Sequence, residues 1–397
     1  MSESGNVIGF PTHEGVEVRH LRAFVAVAEE LNFSRAAERL YLSQPALSRQ
    51  IRTLERLVGC DLLHRTTHRV ELTPAGDALL DRTRPVLVSL DEAIATAQSV
   101  GGELAARIMT IWAPMTALAE TPMSLETTRE VFEHVLAQTP IPPDISVRAV
   151  NAGGCSALSL GDDPAILYLH GGGYVLGSAY GYRPLAGALA AAAKSGALVP
   201  DYRLAPEHPF PAALDDACAA YRWLVDRRGD SRGVVLAGDS SGAALSLALL
   251  LRLKADHEPM PAGAVLLCPS LDLSGSMLTP SERPHLMDNI ARVAAAYLAG
   301  HPIDDPLVSP LRGDLSGLPP LLVQCAVADR ARPEADALTE RAHEQGVDAR
   351  LELYPGVVHV FQLFWSFLPE AADALAQAAR FIDEVLAEDS ATADSAG

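Results

Sequence analysis

Residues 233–247 read GVVLAGDSSGAALSL and contain the pattern G-x-S-x-G around Ser240. A short apolar run precedes the pattern, and an apolar helical stretch follows it. Gly238 and Gly242 are small enough to let a strand and a helix approach each other closely at such a turn. The stretch therefore predicts a strand, a strained turn and a helix, with the Ser240 hydroxyl exposed as a nucleophile. The five-residue pattern alone is common by chance, so the prediction depends on the flanking elements.

Short apolar runs alternate with helical stretches along the chain after about residue 110. This alternation is typical of β-α units that build a mostly parallel sheet with helices on both faces. Besides the run before Ser240, the apolar runs are residues 165–170, 262–269, 320–325 and 349–354. The last run alternates polar and apolar residues, which predicts an edge or half-buried strand.

The sequence HGGGY, residues 170–174, directly follows the apolar run at 165–169. Consecutive glycines let backbone N–H groups point toward a substrate carbonyl without obstruction by side chains. A glycine-rich turn with no chemical role is the alternative interpretation. The position of this loop, after a strand and before Ser240 in the chain, favours an oxyanion-binding role.

Residues 110–388 resemble the hormone-sensitive-lipase-like branch of the α/β-hydrolases. The resemblance rests on the stretches YLHGGGYVLGS, DYRLAPEHPFPAALDD, GDSSG, DPLVSPL, LPPLLVQ and YPGVVHVFQ. It implies an α/β-hydrolase fold and a serine carboxylesterase that acts on small esters. We expect a helical cap over the site, formed by the segments 112–138 and 277–300. The chemistry of this family requires no metal and no cofactor.

The resemblance also implies the roles of individual residues. Ser240 would be the nucleophile, His359 the general base, and Asp329 the acid that orients the imidazole. Three backbone N–H groups would form the oxyanion hole, those of Gly172, Gly173 and Ser241. The three catalytic residues follow one another in the chain as serine, aspartate and histidine, which is the order typical of the α/β-hydrolase fold.

Two alternatives stay open for the acid. Asp336, about two helical turns beyond Asp329, is a weaker candidate, and Asp329 could instead serve as a helix N-cap. Two features also depart from the family pattern: Ala243 and Ala244 follow the serine motif, and Arg330 follows the acid. These departures put the rate and the substrate range in question rather than the type of reaction.

A second set of motifs lies near the N-terminus, in FSRAAERLYLSQPALSRQIRTLERLVG (33–59) and RTTHRVELTPAG (65–76). Ser34 and Ser43 each stand where a helix N-cap belongs, and Gly59 stands where a helix ends. The spacing predicts a helix from about Val18, a short helix after Ser34, a helix over residues 44–58 and a hairpin over residues 62–73.

Residues 16–103 resemble the DNA-binding head and linker helix of LysR-type regulators. The resemblance implies an all-α winged helix-turn-helix domain at 16–74 that binds double-stranded DNA, with the helix 44–58 in the major groove. The residues expected to contact DNA are Gln44, Ser48, Arg49 and Arg52 on this helix and Arg65, Thr66 and Arg69 on the wing. These regulators normally carry a two-lobed effector domain after the linker, and here the hydrolase-like region takes its place.

Residues 75–103 are predicted to form a linker helix that supports a homodimer or a higher oligomer. Its heptad repeat is weak because several members are small. The repeat positions are Leu79, Thr83, Val86, Leu90, Ala93, Ala97 and Val100. Pro85 is expected either to kink the helix or to mark its true start.

The composition places limits on the class of protein. The net charge of −19 by itself argues against nucleic-acid binding, but residues 16–76 carry a net +2 and residues 104–397 a net −16. No apolar run reaches the roughly 18 residues of a membrane span, and the start lacks the features of a signal peptide. The five cysteines are far apart and form no C-x-x-C pair. We therefore predict a cytoplasmic protein with reduced thiols.

These features together predict a serine carboxylesterase joined to a DNA-binding head. The alternative is a ligand-responsive transcriptional regulator that uses the hydrolase domain as its sensor. A third possibility is a gene fusion in which the head is passive. Plant gibberellin receptors show that this hydrolase branch can become a receptor, but they lack the catalytic histidine, so the presence of His359 here favours catalysis over sensing alone.

Overall fold

The structure is a computed structural model that describes residues 15–40, 42–65, 70–120, 124–277 and 284–394. The chain divides into two compact units, residues 1–95 and residues 96–397. No helix in the described ranges is both long enough and apolar enough to cross a membrane.

The first unit is a three-helix domain with a two-stranded hairpin and a following long helix. The elements are α1 (Val18–Glu30), α2 (Phe33–Arg39), α3 (Gln44–Val58), β1 (Leu63–Arg65), β2 (Val70–Leu72) and α4 (Pro74–Gly101). Phe24, Leu47, Ile51 and Leu54 form the centre of its core and are fully buried. The hairpin is antiparallel, as the alternation at residues 62–73 predicts.

Side-chain caps define the ends of these helices. Ser43 caps α3 as predicted, with its hydroxyl accepting a hydrogen bond from the N–H of Ala46, and Gly59 ends the helix in the left-handed region. The prediction that Ser34 caps α2 is wrong. Asn32 takes that position, and its side-chain oxygen accepts from the N–H groups of Ser34 and Arg35. Asparagine caps as well as serine does, and here it lies two residues earlier.

Helix α4 runs without interruption through Pro85, so the proline does not mark its start. Thr83 and Leu87 are buried within the first unit, together with Leu80, one turn earlier. Val86, a predicted heptad position, is 58% exposed. Of the seam positions whose side chains the structure describes, only some are therefore free for a second chain, and dimerisation stays a prediction.

The second unit contains two helices ahead of a sheet and alternating strands and helices. Its elements are α5 (Glu103–Glu120), α6 (Leu125–Leu136), β3 (Val147–Ala152), β4 (Cys155–Leu160), β5 (Pro164–Leu169), α7 (Arg183–Ala192), β6 (Gly196–Pro200), α8 (Ala212–Arg228), β7 (Val235–Asp239), α9 (Ser241–Ala255), β8 (Gly263–Leu267), α10 (Pro284–Leu298), β9 (Leu321–Ala326), α11 (Arg332–Glu344), β10 (Ala349–Tyr354) and α12 (Pro369–Asp394).

The eight strands of this unit form one sheet in the order β10-β9-β8-β7-β5-β6-β4-β3. Strands β5 to β10 are parallel to one another, whereas β4 is antiparallel to both β6 and β3. Every residue of the five strands β5 to β9 is buried, so helices cover both faces of the sheet. The predicted α/β-hydrolase fold is confirmed, and β10 is an edge strand as its alternation predicts.

The carboxyl ends of the parallel strands meet at one edge of the sheet. There β5 leads into the glycine loop, β7 into Ser240, β9 into the loop with Asp329, and β10 into the loop with His359. In an open α/β sheet, ligands bind outside this edge. The four motifs are thus brought together although they are spread over nearly 200 residues of sequence.

Candidate functional site

Ser240 sits on a strained turn between β7 and α9. Its backbone has φ 51° and ψ −118°, a combination that non-glycine residues rarely adopt. The Ser240 N–H donates to the carbonyl of Leu267, which holds the turn against β8. A Cβ atom at Gly238 would lie 2.5 Å from the carbonyl oxygen of Gly242, and one at Gly242 would overlap the carbonyl oxygen of Leu169. Only glycine fits on either side of the turn.

A continuous hydrogen-bonded chain links Ser240, His359 and Asp329. His359 Nε2 lies 2.9 Å from Ser240 Oγ, and His359 Nδ1 lies 3.0 and 3.1 Å from the two carboxylate oxygens of Asp329. Asp336, the weaker candidate for the acid, pairs with Arg332 instead, at 2.8 Å. Asp329 accepts from the N–H of Ala331, but it does not occupy the N-cap position of α11, which is Ala331.

Burial and neighbouring charges set the pKa values of Asp329 and His359 so that His359 can act as a base. Burial alone would raise the pKa of Asp329, but His359 and the hydrogen bonds from His359, Ala331 and Cys268 hold that pKa at about 2. Burial lowers the pKa of His359, Arg330 lowers it further, and Asp329 opposes both. The carboxylate is therefore ionised at neutral pH, and the imidazole is neutral and able to accept a proton.

The glycine loop after β5 adopts conformations that favour glycine. Gly172 has φ 120° and Gly173 has φ 64°. The N–H groups of Gly172 and Ser241 make no hydrogen bond within the described part of the chain. The N–H of Gly173 donates to the side-chain oxygen of Ser241, at 2.8 Å. The three residues predicted for the oxyanion hole lie together, but one of the three N–H groups already has an acceptor.

Asp239, which precedes Ser240, holds the glycine loop from behind. Its carboxylate accepts from the N–H of Gly171 at 3.0 Å and from the hydroxyls of Tyr168 at 2.8 Å and Tyr182 at 3.1 Å. Burial raises the pKa of Asp239 to about 7 against these hydrogen bonds, which lower it. Sequence reasoning missed this residue. The available signal was a charged residue at the end of a fully buried strand, where a partner is required.

A cavity of about 860 Å³ opens in front of Ser240 and His359. Most of its wall is apolar and comes from α5, α6, α10 and the glycine loop; among these residues are Ile108, Met109, Trp112, Met115, Phe132, Val175, Leu176, Ile290 and Val293. The cap predicted at 112–138 and 277–300 thus contributes to the wall, although residues 278–283 lie outside the described ranges. The wall also begins earlier than predicted, at Ile108.

The charged side chains on the cavity wall, apart from His359, belong to four residues. Asp239 accepts hydrogen bonds from the glycine loop and two tyrosines, as described above, and Asp272 accepts from the hydroxyls of Ser274 and Ser276. Glu334 accepts from two backbone N–H groups, and burial raises its pKa to about 7. Arg330, one of the departures noted in the sequence, has no hydrogen bond or ion pair within the described residues. Most of the wall is therefore apolar, and three of its four charged side chains, those of Asp239, Asp272 and Glu334, are hydrogen-bonded to other groups of the protein.

Cys268, Cys325 and Asp329 bring two sulfur atoms and a carboxylate oxygen within 4.8 Å of one another, in a buried position. Within the described ranges, this is the group of side chains whose chemistry would suit a soft metal ion. Burial raises the pKa of the Cys268 thiol well above its usual value. The Cys268 thiol donates to Gln362 Oε1 at 3.6 Å, and its position beside Asp329 helps to lower the pKa of the carboxylate that bonds His359.

In the first unit, α3 presents the side chains predicted to read DNA. Gln44, Arg49 and Arg52 are exposed and Ser48 is half-buried, whereas Leu47 and Ile51 face the core. Arg52 donates from Nε to the carbonyl of Ser48 at 3.3 Å, and its terminal nitrogens have no partner among the residues that the structure describes. Arg65 lies at the end of β1. Thr66 and Arg69 lie outside the described residues.

Comparisons with known proteins identify a family for each of the two units. Residues 166–363 match a family model described as the alpha/beta hydrolase fold, and residues 18–77 match the bacterial regulatory helix-turn-helix proteins of the lysR family. An acetyl-hydrolase from Streptomyces hygroscopicus is 42% identical over 226 residues, which span 56% of this chain and 76% of that protein. An esterase from Acinetobacter venetianus is 34% identical over 263 residues, 64% of this chain and 87% of the relative.

Solved structures show the same likeness. The crystal structure of an esterase from the bacterial hormone-sensitive lipase family superposes with a TM-score of 0.65 at 37% identity, over 70% of this chain and 97% of that one. An esterase crystal soaked with p-nitrophenyl butyrate gives a TM-score of 0.64 at 35% identity, over 70% of this chain and 98% of that chain. The chain therefore belongs to the hormone-sensitive-lipase-like branch of the α/β-hydrolases, and it carries at its N-terminus a helix-turn-helix domain of the LysR family.

Proposed function

We propose that the chain hydrolyses small carboxylic esters through a covalent acyl intermediate on Ser240. The observation that carries this proposal is the hydrogen-bonded series from Ser240 through His359 to Asp329, built on a strained turn. His359 Nε2 takes the proton of the Ser240 hydroxyl as Oγ attacks the ester carbonyl, and it then returns that proton to the leaving alcohol. Water, activated by the same imidazole, attacks the acyl ester and releases the carboxylic acid.

Asp329 acts on His359 and not on the substrate. By accepting the hydrogen of Nδ1, it keeps Nε2 free to take a proton and stabilises the imidazolium that forms. The negative oxygen that develops on the substrate is stabilised at the glycine loop and at the positive N-terminal end of α9. No cofactor or metal takes part in these steps.

The cavity supports an ester with a modest apolar portion. Its volume of about 860 Å³ suits a small molecule, and most of its wall is apolar. The relatives described above are named acetyl-hydrolase and esterase. Short-chain acyl esters are therefore the substrates we expect.

We further propose that residues 16–74 form the DNA-binding domain, residues 75–103 the linker, and residues 110–388 the hydrolase domain. Gln44, Ser48, Arg49 and Arg52 would contact bases or phosphates from the major groove, and Arg65, Thr66 and Arg69 would contact the backbone. A homodimer would present two such helices to two half-sites. We also propose that the protein acts in the cytoplasm, where it would meet DNA.

A second function is favoured by one observation, the presence of both units on one chain. In this alternative, a ligand in the Ser240 cavity changes the affinity of the head for DNA. Such coupling requires that the ligand bind two arrangements of the protein with different affinity, and it must be reciprocal. DNA would then change the affinity for the ligand by the same factor.

The experiment that separates these functions compares the full-length protein with its Ser240→Ala variant. The assays are hydrolysis of p-nitrophenyl acetate and butyrate and, separately, DNA affinity with and without saturating ester. We expect the substitution to lower turnover by several orders of magnitude. The affinity for DNA, measured without ester, should stay unchanged. Comparable turnover by both proteins would refute the serine mechanism. An ester that binds the variant without changing its DNA affinity would refute the coupling alone.

A further inference from the structure

The side chain of Ser241 occupies a position inside the oxyanion site. Ser241 is the first residue of α9, directly after Ser240, and it is buried, with 4% of its surface exposed. Its Oγ accepts the N–H of Gly173 at 2.8 Å, although the two residues are 68 positions apart. Both residues line the cavity that contains Ser240 and His359. The Ser241 side chain therefore joins the glycine loop to α9 at the wall of the cavity that would hold a substrate carbonyl.

This contact changes which hydrogens are available to a developing oxyanion. The single N–H hydrogen of Gly173 is directed at Ser241 Oγ and not at the cavity. The N–H groups of Gly172 and Ser241 have no acceptor within the described residues. The hydroxyl hydrogen of Ser241 likewise has no acceptor there, and a hydroxyl rotates to suit its partner. The donors open to a ligand are thus two backbone N–H groups and one side-chain O–H.

We propose that the Ser241 hydroxyl is a catalytic donor of the oxyanion hole. It accepts the N–H of Gly173 and donates its own hydrogen to the substrate oxygen as negative charge develops there. This inference rests on the proposed serine mechanism and assigns a role to a side chain that the mechanism leaves unused. The hydrogen bond that Oγ accepts from the Gly173 N–H polarises the Ser241 hydroxyl and makes it a stronger donor. Because Gly173 already fixes the position of Oγ, only rotation of the O–H bond is needed for the hydroxyl to donate to the substrate oxygen.

The direction of the change in rate distinguishes a donor role of the Ser241 hydroxyl from simple obstruction of the Gly173 N–H. If Oγ only obstructs the N–H of Gly173, its removal would release a better donor and raise the rate. If Oγ–H is itself the donor, its removal lowers the rate. The loss would be smaller than the hundred- to thousandfold cost of deleting one donor, because the released N–H of Gly173 compensates in part.

The test compares Ser241→Ala with Ser246→Ala in the full-length protein. Ser246 is a matched control because it lies on the same helix, is fully buried, and donates its hydroxyl to the carbonyl of Gly242 at 2.9 Å. It does not line the cavity. With p-nitrophenyl butyrate we expect Ser241→Ala to lower kcat at least about tenfold with KM changed less than about threefold. Ser246→Ala should leave both constants near those of the unaltered protein.

A second measurement reports on the oxyanion directly. A trifluoromethyl ketone forms a tetrahedral adduct with an active-site serine, whereas the matching secondary alcohol binds without one. Ser241→Ala should weaken inhibition by the ketone at least about tenfold and leave inhibition by the alcohol unchanged. An unchanged or higher kcat, or equal losses in the two serine variants, would overturn the proposal. Turnover that survives in Ser240→Ala would instead refute the underlying serine mechanism, so the two failures are distinguishable.

Discussion

Replacing Asp329 by Asn removes the charge behind His359 while conserving the size of the side chain. In the native site, both Asp329 oxygens lie within 3.1 Å of His359 Nδ1, and the carboxylate also accepts from the N–H of Ala331. An amide in this place can present its NH₂ group to Nδ1. The imidazole would then carry its proton on Nε2 and could not accept the proton of Ser240.

The expected cost follows from this change of tautomer. We expect kcat/KM to fall by about 10³ to 10⁴, which corresponds to about 4 to 5.5 kcal/mol of lost transition-state stabilisation. The loss should fall mainly on kcat, because Asp329 does not contact the substrate. Hydrolysis of p-nitrophenyl butyrate by the purified variant, measured against Ser240→Ala as background, gives the value.

Asp336→Asn is the matched control. It makes the same chemical change seven residues away, at a side chain that is 47% exposed and pairs with Arg332 four residues before it. Such a surface pair contributes about 0.3–0.5 kcal/mol to stability, so activity should change less than about twofold. A loss below about tenfold in Asp329→Asn would refute the assignment of the acid. Equal losses in both variants would also refute it.

Three further predictions concern the charge beside the base, the packing of the turn and the DNA-reading helix. Arg330→Met removes a cation that lowers the pKa of His359, so we expect that pKa to rise. The acid limb of the kcat/KM–pH profile should therefore move to higher pH. An unmoved limb, or one at lower pH, would contradict this. Gly242→Ala places a Cβ atom on the carbonyl of Leu169, so thermal unfolding should begin many degrees lower, and an unchanged Tm would show that the helix can move away. Arg52→Ala should weaken DNA binding and reduce the slope of log K against log salt by about one, whereas an unaltered slope would remove Arg52 from the phosphate contacts.

Much of the fold was predictable because the central strands are buried on both faces. Continuous apolar runs mark β5, β7, β8 and β9, and the structure places strands at each of them. Strands β3 and β4 have no such run, since they lie at the antiparallel edge and most of β3 is exposed. β6 is only five residues long and follows an alanine-rich helix, which hides its apolar pattern. Edge strands and short strands form because they pair with a neighbouring strand, and the hydrophobic periodicity of the sequence does not reveal that pairing.

The site divides in the same way between local and long-range features. The turn at Ser240 and the glycine loop are local, so their motifs identify them. The contact between Gly173 and Ser241 and the tether from Asp239 to Gly171 each join residues 68 positions apart. No spacing rule predicts such contacts, because they depend on β5 and β7 being neighbours in the sheet.

The central claim is that Ser240 is the nucleophile of this esterase, and covalent labelling tests it most directly. The full-length protein is incubated with a fluorophosphonate, and its intact mass and the labelled peptide are determined by mass spectrometry. One phosphonyl group per chain should appear on Ser240, together with complete loss of ester turnover, and Ser240→Ala should remain unlabelled while Ser241→Ala is still labelled. A label on Ser241 or elsewhere, or turnover that persists in the fully labelled protein, would contradict the account.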